Sequence, residues 1–177
     1  MLMHYPALAD IAACRNAVKA EAHAQAFKEC APLGTKGDGE AQFYLGEMYD
    51  NGHGVPQDYR EARRWYRLAA AKGHADAQFN LGVMYDNGHG VPQDYKEAVR
   101  WYRLAAEQGD VQAQFVLGLM YDNGTGVAQD YIQSHSWLNL AASARSLSEI
   151  GRHRRSKIAI WRPGWIDNSS RFVLAES

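Results

Sequence analysis

At 177 residues, with 46% apolar and 22% charged residues, the chain is long enough for a real core and too apolar for wholesale disorder. A formal net charge of −1 lacks the basic balance of a dedicated nucleic-acid binder. No run of about 18 apolar residues occurs, so no membrane span is expected.

The opening Met1-Leu2-Met3-His4-Tyr5-Pro6 has neither the basic nor the long apolar stretch of a signal peptide. The expectation is therefore a cytoplasmic protein, with the periplasm or medium as the alternative if the N-terminus is trimmed. Residues 1–22 are expected to form an N-terminal helical cap. The Ala-rich stretch 7–22 carries no Gly-rich loop, and it either extends the following helix or folds separately. On one continuous helix Cys14 and Cys30 stand 16 positions apart, roughly 24 Å at about 1.5 Å per residue. A disulfide needs alpha carbons within about 7 Å. Two free buried thiols are expected unless that helix breaks.

From Ala41 onward the chain repeats itself. Leu45, Leu81 and Leu117 share one phase, as do Gly46, Gly82 and Gly118, and Trp65, Trp101 and Trp137. Successive anchors lie 36 residues apart, a period that marks one supersecondary unit stacked on itself. The units are taken as 41–76, 77–112 and 113–142, preceded by a partial repeat at 23–40. Each leaves an apolar face for its neighbour to cover, so the expected fold is all-α, an α/α solenoid.

In the middle copy Ala77, Leu81, Met84 and Tyr85 form a helical stripe, giving a first helix near Asp76–Asp86. Asn87-Gly88-His89-Gly90-Val91-Pro92 ends it. Asp94 and Glu97 have the spacing of a capping box, in which Asp94 caps the N3 amide and Glu97 reaches back to the Asp94 amide. A second helix follows over Tyr95–Gln108 and stops at Gly109. The pair is antiparallel, joined by a loop of about eight residues. Gly82 and its copies sit inside the first helix at a cost of about 1 kcal/mol relative to Ala. Close approach to the facing helix is the expected reason, with Ala62 and Ala98 as partners.

The tail, 143–177, departs from this pattern. Arg145 stands where the terminating glycine is due, and six more basic residues follow against Glu149, Asp167 and Glu176. Ser146-x-x-Glu149 has the spacing to cap a short helix toward Ile160. Trp161, Trp165 and Phe172 are available to cover the last repeat, with disorder or a partner-binding peptide as the other readings.

Ala-Gln-Phe-x-Leu-Gly-x-Met-Tyr-Asp-Asn-Gly-x-Gly-Val, then Gln-Asp-Tyr, Ala, Trp and Ala-Ala, resembles the Sel-1-like repeat, a branch of the tetratricopeptide-like solenoids. The resemblance covers about residues 23–142. It implies a right-handed superhelix of antiparallel helix pairs whose first helices line a concave face. It also implies a role as adaptor or scaffold in protein complexes, common in bacterial signalling, envelope and host-interaction proteins. The cysteine pair of one disulfide-rich branch is missing from the repeats. Some relatives are described as β-lactam-binding, but no Ser-x-x-Lys occurs here.

Comparing the copies separates fixed framework positions from drifting ones. On the first helices the drifting positions are Glu40, Tyr44 and Glu47; Asp76, Asn80 and Val83; Gln112, Val116 and Leu119. Their i, i+4, i+7 spacing makes one stripe. It is expected to line a groove for a protein or peptide partner, with Tyr44 and the Val116–Leu119 end as anchors. The alternative is ordinary surface drift.

The second helices carry Arg60, Arg63, Arg64 and Arg67, then Lys96, Arg100 and Arg103. These read either as a solvated face paired with Glu61 and Glu97 or as a basic face for an acidic partner. His53 and His89 are separated by a whole repeat, too far to share a zinc ion easily. Asp50-Asn51-Gly52 lacks the twelfth-position glutamate of a calcium loop. No cofactor, metal, nucleic acid or catalytic constellation is expected.

Overall fold

In each copy the apolar spacing produces a helix, the glycine-rich run a turn, and the capped segment after it a second helix. The computed structural model describes residues 10–149. Eight helices follow in chain order: α1 Ile11–Lys19, α2 His23–Lys36, α3 Gly39–Asn51, α4 Tyr59–Ala70, α5 Ala75–Asn87, α6 Tyr95–Glu107, α7 Val111–Asn123 and α8 Tyr131–Glu149. No strand occurs among the described residues. Consecutive helices pack as pairs, and each pair packs on the next, giving an α/α solenoid. α1 also touches α3, and α3 touches α5, so the first helices of successive pairs neighbour one another.

The core is a chain of small clusters, one per junction. Cys14, Cys30, Leu45 and Trp65 belong to the first, Tyr66, Ala69 and Leu81 to the second, Val99, Tyr102 and Leu117 to the third. Alanines such as Ala62, Ala77, Ala98 and Ala113 are wholly buried where helices meet.

Gly82 makes room for an aromatic ring. A Cβ there would lie 2.5 Å from Cδ1 of Tyr102, below any real contact, and Gly46 meets Tyr66 in the same way. The partners are thus tyrosine rings, not the expected Ala62 and Ala98. Those alanines occupy the neighbouring turn of the second helix.

The loop is a closed hydrogen-bonded unit. Gln93 Nε2 donates to the carbonyl of Asp86 (2.6 Å), and Asn87 Nδ2 donates to Val83 (3.1 Å). The Asp94 amide donates to the Tyr85 carbonyl (2.9 Å). That bond corrects the capping-box expectation. Asp94 Oδ1 does accept from Lys96 and Glu97, but its own amide is already taken. Glu97 turns instead to Arg100 (3.1 Å), as Glu61 does to Arg64 (3.3 Å).

The cysteine expectation is also overturned. The helix breaks at Ala20–Ala22, where Glu21 adopts a positive φ of 54°. α1 therefore folds back on α2. Cys14 and Cys30 come within 4.9 Å (Cα–Cα), form a disulfide, and are fully buried. At the other end no glycine stops α8 at position 145, so the helix runs on to Glu149 and Ser146 lies inside it. The stretch toward Ile160, with Trp161, Trp165 and Phe172, falls outside the described residues.

Candidate functional site

The drifting stripe lies on α3, α5 and α7, and all nine of its side chains are half-buried. Each pair of helices fixes its portion through polar junctions. Gln78, buried at the start of α5, donates from Nε2 to the Ala70 carbonyl at the end of α4 (3.2 Å). Gln42 and Gln114 repeat this bond to Gly34 and Ala106. Each of these carbonyls also accepts from the backbone amide of the glycine just past the helix (Gly73, Gly37 and Gly109), so the glutamine adds a second bond that ties one helix pair to the next.

A second lock joins each loop to the preceding pair. A Cβ on Gly90 would lie 2.7 Å from the Tyr59 carbonyl, and one on Gly54 would lie 2.6 Å from that of His23. Both glycines also hold positive φ, 68° and 76°. The histidine between the loop glycines then stacks on the same helix start. His89 lies over Tyr59 (4.6 Å between centroids) and His53 over His23 (4.3 Å). These histidines act in packing, and among the described residues no three His, Cys, Asp or Glu side chains form a metal-binding group.

Asp50 and Asp86 receive the hydroxyls of Tyr66 (3.2 Å) and Tyr102 (3.3 Å). Burial raises both carboxyls above their usual range and pushes both phenols well above theirs.

Along the stripe, the sequence-predicted residues are not equally available. Glu40 is held by Arg15 of α1 in a fork, with Nε–Oε1 2.7 Å and Nη2–Oε2 2.6 Å. Tyr44 Oη donates to Glu40 Oε1 (3.0 Å). The Arg15 hydrogen bond holds the Glu40 carboxyl below its usual range, while burial and the Glu40 contact push Tyr44 up to about 12. Arg15 was not among the sequence-predicted residues, because a helix with no repeat partner gives no internal copy for comparison. Val83 and Val116 pack against the third cluster, and Tyr44 against the first two. Asn80 lies near the Tyr66 hydroxyl. What the nine share is a face.

No helix among the described residues is long and apolar enough to cross a membrane.

The Sel1 repeat model matches residues 39–74, 75–110 and 111–146. Among solved structures, the chain is 46% identical to c5321, a protective antigen of uropathogenic Escherichia coli strains displaying an SLR fold, at a TM-score of 0.67. That match covers 68% of this chain and 26% of the antigen. A Sel1 repeat protein from Oxalobacter formigenes is 34% identical at a TM-score of 0.74, over 80% of this chain and 60% of that one. Helicobacter pylori cysteine rich protein B shares the fold at 18% identity and a TM-score of 0.57, over 72% of this chain and 95% of that one. The chain thus spans about a quarter of the antigen and three fifths of the Oxalobacter protein. No curated protein matches it. With three matched units over most of its length and a 36-residue period carried by the same framework residues, the chain belongs to the Sel1 repeat family.

Proposed function

We propose that the chain is a non-catalytic protein-interaction scaffold that receives a partner protein or peptide along the stripe Glu40, Tyr44, Glu47, Asp76, Asn80, Val83, Gln112, Val116 and Leu119. Proteins of this repeat fold are commonly interaction scaffolds. The observation that carries the reading is a contrast within each copy. Framework residues around the stripe are identical and locked, whereas the stripe passes from acidic in α3 to apolar in α7 on half-exposed positions. Such a row offers both charge and apolar anchors to one bound segment.

Photo-crosslinking from position 80 in the source cell, followed by titration of the captured partner, tests it. Tyr44→Ala and Leu119→Glu are expected to weaken binding about tenfold or more with the far-ultraviolet helical signal intact. Equal binding by wild type and both variants would overturn the groove assignment.

A second reading, an exported factor acting on envelope or host components, is favoured by the Cys14–Cys30 disulfide. Such bonds persist in oxidising compartments and are rare in the cytosol. The likeness to a protective antigen accords with it. Acid-quenching source cells and alkylating the denatured protein checks the point, since both cysteines are buried in the fold: an exported protein is recovered unlabelled, and full labelling would reject export.

A further inference from the structure

The second helices present a different surface. On α4, Arg60, Arg63, Arg64 and Arg67 follow i, i+3, i+4, i+7 spacing, one row about 10 Å long. In a chain of net charge −1 this is a local excess. Glu61 neutralises only Arg64. Arg60, Arg63 and Arg67 meet no carboxylate among the described residues, and the Arg63 Nε is buried without a hydrogen-bond partner. Together with Leu68 and Ala71 the four arginines line a shallow cleft of about 530 Å³. Leu68, 41% exposed, supplies an apolar patch at one end, and Leu104 repeats it on α6.

Like charges one turn apart repel, so the row alone is mildly unfavourable on its helix. A guanidinium fork matches a carboxylate in two parallel hydrogen bonds, and Arg60 and Arg67 are exposed to receive one. We infer that the α4 face, centred on Arg60, Arg63 and Arg67, docks an acidic segment of a partner protein. Its carboxylates lie on the guanidiniums and an apolar side chain rests on Leu68. The apolar floor favours a protein segment over a polyphosphate or sugar sulfate. Nucleic acid would need exposed stacking aromatics, whereas Trp65 on this helix is buried. The corresponding positions of α8 are Ile132, His135, Ser136 and Asn139, so the surface belongs to the earlier repeats. It lies on the second helix of the pair, separate from the proposed groove on the first helices.

The test is fluorescence anisotropy on the full chain with a labelled peptide of alternating glutamate and leucine, and a lysine–leucine peptide as control. The acidic peptide is expected to bind, and to bind less as salt rises. Binding should weaken roughly tenfold or more in Arg60→Glu/Arg63→Glu/Arg67→Glu. Arg60→Gln/Arg67→Gln, confined to exposed positions, should show the same direction with an unchanged melt. Tyr44→Ala should bind as wild type does, which separates this face from the groove. Equal binding of the two peptides, or of wild type and both arginine variants, would overturn the inference. So would tighter binding of heparin than of the acidic peptide.

Discussion

The pairs α5–α6 and α7–α8 start from nearly the same letters and settle into different environments. In the first, Gly82 lies under the ring of Tyr102, whose hydroxyl reaches Asp86. In the second, Leu138 replaces the tyrosine and Asp122 is exposed. Phe79 is half-buried, but Phe115, in the same phase, is 46% exposed. Tyr95 is half-buried and in contact with Gly126, whereas Tyr131 is 60% exposed. A repeat's core therefore resides largely in the repeat that follows, and identical residues at the last described unit lose their cover.

The comparison breaks most visibly at the glycines. Gly82→Leu is expected to cost more than about 3 kcal/mol, since the fully enclosed Tyr102 has nowhere to move. Gly118→Leu should cost about 1 kcal/mol, because half-buried Leu138 can change rotamer. Denaturant titration of both variants measures the gap, and equal losses would erase the distinction.

The N-terminal end sharpens the same contrast by other means. Here α1 and α2 are joined covalently, and Cys14→Ala/Cys30→Ala should cost about 2–3 kcal/mol for a loop of this length. Hydrogen exchange should then rise first in α1. Protection unchanged in the variant would show that packing alone holds this end.

Acid titration probes the tyrosine–aspartate contact of α5–α6 more gently. The folded Asp86 carboxyl is raised, so its burial favours folding most below the unfolded carboxylate value, and that gain is lost as pH rises through the folded value. Asp86→Asn should flatten this part of the stability profile while leaving an acceptor for Tyr102. Thermal melts between acid and neutral pH report the change, and an unaltered profile would remove Asp86 from it.

The smallest effect lies at Arg15. Glu40 is lowered by its bond to Arg15, so its contribution is present above the unfolded carboxylate value and is lost as pH falls through the folded one. Arg15→Ala should lower the neutral-pH melt slightly, as befits a part-exposed ion pair, and leave the acid melt unchanged. A large neutral-pH drop would mean that α1 depends on the pair.

The period made the helices and loops legible because Leu81, Gly82, Gly88 and Asp94 recur with their copies in one phase. It did not reveal how the second helix is rotated about its own axis, so Tyr102 was hidden behind Ala98 as the partner of Gly82. The turn at Ala20–Ala22 carries neither glycine nor proline, which left Cys14 and Cys30 on one apparent helix. Their shared burial phase on either side of a possible break was the available signal. The Arg15 fork on Glu40 followed from that break and was equally invisible. For the stripe, drift among copies located a face but could not tell which of its members pack inward, as Val83 and Val116 do.

The buried glutamines have a consequence for chain length. Gln78 reaches Ala70 and Gln114 reaches Ala106, each across eight positions. Excising the unit 75–110 would bring Gln114 eight positions after Ala70, and Thr125-Gly126 onto Tyr59. The new seam would keep the glutamine bond and the glycine approach of the old one, with Thr125 in place of the stacked histidine. Extension or trimming by whole units can then change how much surface this array offers without inventing any new joint.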